Sequence, residues 1–155
     1  MPSQPEPASS AIIEREGRYL LVRRANPPWA DMYAFPGGRA EPGETPAETA
    51  LRELAEETGI RGRNPLPFET YDLPAKEPGG RHFLLSVFTV EADPDTVAVA
   101  CDDAAGLGWF TPAEIFALPV PDSVRDCVAK LHGVPVEDPS GGGLATDDDS
   151  DLIGP

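Results

Sequence analysis

Six consecutive residues, Arg52-Glu53-Leu54-Ala55-Glu56-Glu57, constrain this chain more than any other stretch. On a helix that advances about 100° per residue, Glu57 stands about 40° from Glu53 and Glu56 about 60° on its other side, so the three acids share one sector. Like charges three and four residues apart repel by about a few tenths of a kcal/mol per pair, and the helix alone gains nothing from them. A hard divalent cation converts that repulsion into attraction, because carboxylate oxygens are the ligands that Mg²⁺ and Mn²⁺ prefer. The lead-in predicts a helix over Pro46 to Thr58. Thr45-Pro46-Ala47-Glu48 reads as a capping box with proline at the first helical position. Ala47, Ala50, Leu51 and Leu54 form an apolar stripe, and Gly59 supplies the left-handed stop. Gly37 to Glu44 reads as the loop feeding it, where Pro36-Gly37-Gly38 lets the backbone turn sharply and approach a ligand.

The full spacing runs Gly38, five residues, Glu44, seven residues, Arg52-Glu53-Leu54, one residue, Glu56-Glu57, one residue, Gly59-Ile60. It resembles the Nudix box, with every fixed position filled. Arg23-Arg24-Ala25-Asn26-Pro27-Pro28 and Tyr33-Ala34-Phe35-Pro36-Gly37-Gly38 extend the resemblance to the ADP-ribose pyrophosphatase-like branch. Tyr33 departs from that branch, where tryptophan is common, and so does Trp29 in the preceding loop; the departures bear on substrate, not on hydrolysis. The resemblance implies a loop–helix–loop that binds divalent metal and hydrolyses a nucleoside diphosphate linked to another moiety. It also implies an α/β chain with the Nudix fold, a mixed β-sheet sandwiched between α-helices. Strands interleaved with three helices point independently to a mixed sheet between helical layers.

By the same resemblance, Glu53 and Glu57 are the principal metal ligands, Glu56 a third, and the Gly37 backbone carbonyl a further one. Mg²⁺ is the implied cofactor, with Mn²⁺ as a substitute. Breaking a phosphoanhydride needs charge neutralisation, an activated water and in-line geometry, and a metal supplies the first two. Arg52 is expected to orient a glutamate through a bidentate pair, and Glu44 to tie the loop to the helix. The general base is left between Glu53 and a loop carboxylate, Asp102 or Asp103. The bland alternative, a solvated charged face, fits an arbitrary acidic cluster better than it fits a complete motif.

Around that site, Arg23, Arg24, Arg39 and Arg81 are the candidate phosphate contacts, with Arg39 first because it follows the glycine pair. Pairing with surplus acids is the competing account for each of them. Trp29 and Tyr33 are candidates to stack on a base, whereas Phe35 reads as core. His82 reads as structural and His132 as a helix-end contact.

Composition narrows the classes. Lys and Arg number 12 against 27 Asp and Glu, a net charge of −15; residues 137–155 hold six acids and no base, leaving 12 − 21 = −9 for the rest. Such a field opposes nucleic-acid binding and makes a cation necessary for any polyphosphate substrate. Cys101 and Cys127 show neither metal-ligand spacing nor a disulfide framework, as in a reducing compartment. No apolar run is long enough to span a membrane, and the N-terminus lacks a signal pattern, so a cytoplasmic, soluble protein is expected.

The chain divides into a proline-rich disordered segment over 1–8, a domain over 9–133 and an acidic Gly- and Pro-rich disordered tail over 134–155. Within the domain, Ser9 to Glu14 and Arg18 to Arg23 read as a hairpin about Glu16-Gly17, and Asn26 to Met32 as a loop. Arg61 to Pro67 reads as a turn-rich passage into a strand at Phe68 to Leu73. His82 to Val90 is the most apolar strand, expected at the centre of the sheet. Trp109-Phe110 is a short strand, Thr111 to Phe116 a capped helix, and Asp122 to Leu131 a helix capped by Asp122.

Three functions compete. A nucleotide-sugar pyrophosphohydrolase would release AMP from ADP-ribose, and a (d)NTP pyrophosphohydrolase would cleanse modified nucleotides. A non-catalytic Nudix-like binding module would have no reason to keep three mutually repelling glutamates. The expected partner is a small nucleotide, with neither nucleic acid nor membrane. The resemblance admits a homodimer, for which no apolar stripe argues either way.

Overall fold

The computed structural model describes residues 4–25, 31–101 and 104–132. Among the described residues the strands form two sheets of four. The first has the order β5 (Gly37–Arg39), β1 (Glu6–Ile12), β7 (Phe83–Glu91), β6 (Arg63–Leu73); β1 and β7 run parallel and the other neighbours antiparallel. In the second, β3 (Arg18–Arg24) pairs with β8 (Ala104–Phe110) along one edge and with β2 (Glu14–Arg15) and β4 (Tyr33–Ala34) at opposite ends of the other.

Helix α1 (Pro46–Thr58) brings Ala50 and Leu54, with Ile60 beyond its end, onto Ala11, Ile13, Leu20, Phe88 and Val90. On the opposite side α2 (Pro112–Ala117) and α3 (Asp122–Leu131) bring Ile115, Val124, Cys127 and Val128 onto Ile12, Tyr19, Leu21, Phe35 and Val87. The layering is therefore helix, sheets, helix, as the sequence implies. Both faces of β3 are buried, Leu20 toward α1 and Tyr19 and Leu21 toward α3, because the alternation there is apolar on both phases.

Four local expectations are corrected. The first strand does not form one hairpin with β3. It breaks at Ile13: Glu6–Ile12 joins the first sheet, and Glu14–Arg15 alone turns back on β3 through Glu16 and Gly17, both at positive φ. Second, residues 6–8 belong to β1. Glu6 donates to the His82 carbonyl at 2.8 Å, and Ala40 donates to the Pro7 carbonyl at 2.9 Å. The N–H that Pro7 lacks falls beside Ala40, one residue past the end of β5. Third, Arg63 to Pro67 is already strand. Pro65 and Pro67 are tolerated because β6 is an edge strand whose register slips between Arg63 and Leu66 and between Pro67 and Glu69. Fourth, Asp122 is the first residue of α3, not its cap; Pro121 precedes the helix and no side chain caps it. Residues 1–3 and the acidic tail lie outside the described residues. Among the described residues no helix is long and apolar enough to cross a membrane.

Candidate active site

The helix carrying the acids begins where the sequence places it. Glu48 N–H donates to Thr45 Oγ1 at 3.1 Å, and Thr45 N–H donates to Glu48 Oε1 at 2.9 Å, closing the capping box. Gly59, at φ 77°, ends the helix with its N–H on the Ala55 carbonyl. Two polar joints then fix the preceding loop against α1.

The first joint is Arg52. Its Nε and Nη2 grip Glu44 at 2.5 and 3.1 Å, its Nη1 reaches Glu53 Oε2 and Glu56 Oε1 at 3.1 Å each, and Nη2 also holds the Arg39 carbonyl at 3.0 Å. Glu44 in turn accepts from the Thr49 hydroxyl at 2.8 Å and the Glu41 N–H at 2.9 Å. The Arg52 hydrogen bonds, followed by that from Glu41, hold the Glu44 carboxyl down at about 2. The two-pronged pair of Arg52 is thus with Glu44, which joins loop to helix, while Glu53 is met from the side by a single nitrogen that it shares with Glu56.

The second joint is the glycine pair. Gly37 N–H donates to Glu57 Oε1 at 3.2 Å. A Cβ on Gly38 would stand 2.5 Å from Glu53 Oε2, so only the bare backbone fits against that carboxylate. Glu57 is 8% exposed, and its carboxyl and that of Glu53 act on each other's titration. Burial, then the charge of Glu53, pushes Glu57 up to about 8; burial also raises Glu53. Two buried carboxylates sharing one place cannot both ionise without a counter-charge.

A second cation, besides the Arg52 that reaches Glu53, acts on this pair. The charge of Arg24 favours the ionised form of Glu57, and Arg24 Nε is buried with no hydrogen-bond partner among the described residues. A buried donor without an acceptor is costly, and an anionic oxygen arriving at the site would satisfy it. The chain after β7 closes the end of the helix, with Cys101 N–H on the Glu57 carbonyl and Val99 N–H on that of Thr58, both at 2.9 Å.

The expected residues separate as follows. Glu53, Glu57, Gly37 and Arg52 come together. Glu56, half-exposed, is held by Arg52 rather than turned to the buried pair, and among the described residues no three acidic, histidine or cysteine side chains form a metal-holding group. The charge of Arg24 favours ionised Glu57, whereas Arg23 pairs with Asp31 at 2.9 Å. Arg39 and Arg81 both meet Glu6. Tyr33 lies edge-on to Phe110, their centroids 5.4 Å apart, and packs against the core on the α3 side. Trp29, Asp102 and Asp103 lie outside the described residues. Sequence reasoning puts Arg39 first and gives Glu6 no part, because only strand pairing reveals that the two face each other.

The donors present fit a hard divalent ion. Two converging carboxylates and the glycine backbone are oxygen ligands, and a Cβ-free cradle stands beside them. Mg²⁺ usually takes one or two carboxylates and completes its shell with water and phosphate oxygens, so a protein cage of three acids is not needed.

Comparison with known proteins gives the same picture. A sequence model of the NUDIX domain matches residues 4–131. The chain is 37% identical over 106 residues to a Methanocaldococcus jannaschii protein named ADP-ribose pyrophosphatase, a match covering 68% of this chain and 62% of that one. It is 31% identical over 114 residues to a Bacillus subtilis protein named putative 8-oxo-dGTP diphosphatase, covering 74% and 71%. Among solved structures, the MutT NUDIX hydrolase from Burkholderia pseudomallei superposes with a TM-score of 0.74 at 24% identity, over 83% of this chain and 99% of that one, a likeness of fold.

Proposed function

The chain belongs to the NUDIX family, and from that premise we propose that it is a divalent-metal-dependent pyrophosphohydrolase that cleaves a phosphoanhydride bond in a nucleotide. The observation that carries this reading is the pair of acids at the glycine turn: Glu57, buried and held by the Gly37 N–H, and Glu53, set against Gly38 and reached by Arg52. A pair of this kind is poorly stabilised alone and well stabilised around a cation.

Glu53, Glu57 and the Gly37 backbone would hold Mg²⁺, with Mn²⁺ as a substitute. Bound there, the ion would neutralise phosphate charge and lower the pKa of a coordinated water. Arg52 keeps Glu53 in place, so that the donor set is ready before substrate arrives. Arg24 Nε donates to a non-bridging phosphate oxygen and takes up the charge that grows there as the bond breaks. A carboxylate, Glu53 or one of Asp102 and Asp103, would receive the proton of the attacking water; Asp102→Asn and Asp103→Asn separate them, because only a base on that loop would make one of the two changes costly.

ADP-ribose is the first substrate to test, since a relative carries that name, and nucleoside triphosphates are the second, since another is named for 8-oxo-dGTP. The experiment is product analysis over ADP-ribose, other nucleoside diphosphate conjugates and dNTPs, with Mg²⁺ and with a chelator. Chelator-sensitive AMP from ADP-ribose, or pyrophosphate from a dNTP, is the expected result. Glu57→Gln should cut that turnover at least a hundredfold while circular dichroism stays unchanged. Silence across the panel, or a Glu57→Gln variant as active as the parent, would overturn the assignment.

A further inference from the structure

After β7 the chain runs over 92–101 with neither helix nor strand, a strap laid along the α1 side. Its larger side chains do not hold it down, since Val97 is 77% exposed and Val99 56%. Only the small Ala92 and Ala98 of this stretch pack on the core there. A segment with so little buried apolar area keeps its place through hydrogen bonds to its backbone. At one end these run to the helix that carries the acids. Val99 N–H donates to the Thr58 carbonyl and Cys101 N–H to the Glu57 carbonyl, both at 2.9 Å. Thr58 ends α1, so both carbonyls belong to the turn that has no helical N–H to receive. The strap thus caps the helix at the residue whose carboxylate accepts from Gly37.

The other end is held by Arg15. Its Nη1 donates to the Thr96 carbonyl at 2.8 Å and its Nη2 to the Asp93 carbonyl at 2.9 Å. One fork therefore spans both ends of a turn that Thr96 N–H closes on Asp93 at 3.1 Å. The guanidinium lies over the Trp109 ring, 4.5 Å from its centroid, and that stacking fixes the plane of the fork. Arg15 stands in β2, the two-residue stub formed where the first strand breaks at Ile13. From Thr96 to Val99 the chain can span at most about 10 Å, so slack at the fork is felt at the amide that caps the helix.

We propose that Arg15 is a positioning residue for the candidate metal site. By clamping 93–96 it keeps the strap's amides on the Thr58 and Glu57 carbonyls, and so keeps the last turn of α1 wound and the Glu57 carboxylate in place. Arg15 itself touches neither metal nor substrate. Without the clamp the end of the helix frays, and Glu57 lies in the turn that frays. The inference rests on the reading of Glu57 as a metal ligand.

The test compares the parent with Arg15→Gln, Arg15→Lys and a control beside the same turn, Arg18→Gln, whose side chain meets Glu114 instead. Amide exchange at Val99 and Cys101, relative to that in β7, should quicken at least tenfold in Arg15→Gln and keep the parent rate in Arg18→Gln. Mn²⁺ affinity, read by electron paramagnetic resonance without turnover, should weaken at least fivefold in Arg15→Gln only. Arg15→Lys keeps a cation over Trp109 but cannot fork across two carbonyls, and should fall between. In turnover, the Mg²⁺ concentration for half-maximal rate should rise at least fivefold in Arg15→Gln, with substrate KM at saturating Mg²⁺ within twofold of the parent. An Arg15 that served stability alone would lower the melting temperature and leave the metal constants where they are. Parent-like Mn²⁺ affinity in Arg15→Gln therefore overturns the inference, whether or not exchange quickens. An inactive parent whose Mn²⁺ affinity still falls in Arg15→Gln removes the hydrolase reading and keeps the positioning role.

Discussion

At the scale of single residues, the site depends on atoms that are absent as much as on those present. Gly38 has no Cβ, and that space is filled by the Glu53 carboxylate. Gly38→Ala is therefore expected to fold, because the atom in the way is the end of a side chain that can swing. Glu53 is pushed from its place between Arg52 and Glu57, and Mg²⁺-dependent kcat/KM should drop at least tenfold with the melting temperature nearly unchanged. Calorimetric Mg²⁺ affinity should weaken in step; parent-like metal binding would show that Glu53 is not a ligand. The sequence made the importance of Gly37, Gly38, Glu53 and Glu57 legible because the motif is local, all within 21 residues. It did not single out Arg24 among the arginines. Arg39 and Arg81 meet at Glu6 because β1 lies between β5 and β7.

At the scale of elements, α1 was readable to the residue, since cap, stripe and stop are all written within its own length. β6 and β1 were not, because a proline reads as a break unless one knows that its missing N–H falls at an edge or a strand end. The joint between loop and α1 is the element-level feature that can be measured. Arg52→Lys keeps the charge but loses the planar fork, leaving Glu44 and the Arg39 carbonyl short of donors. The change should cost about 2 kcal/mol, a fall in melting temperature of roughly 4–8 °C. The joint also has a pH signature. The Glu44 carboxyl is held at about 2 against an ordinary 4.5, so its contribution is complete above pH 4.5 and is lost as pH falls from there toward 2. In Glu44→Gln that charge is gone at every pH. The melting-temperature gap between parent and variant should thus be largest near neutrality and narrow below pH 4.5; a gap independent of pH would mean that Glu44 acts by packing alone.

At the scale of the whole molecule, charge and chemistry pull in opposite directions. On the proposed function, a protein of net charge −15 takes an anionic substrate, and its attraction for phosphate would rest on Arg24 and on whatever cation Glu53 and Glu57 hold. Six of the acids lie in residues 137–155, beyond the end of α3, and removing that stretch changes the net charge from −15 to −9. None of the groups assigned to the site lies there, so the tail contributes to the long-range field and not to the chemistry. The field acts on association rather than on bond cleavage, and it is screened over about 8 Å at 0.15 M salt. Deletion of 137–155 should therefore leave kcat within a few-fold and raise kcat/KM modestly at low ionic strength, the gain vanishing as salt is added. A large loss of kcat on deletion, at any salt concentration, would mean that the tail docks at the site and supplies a group to it.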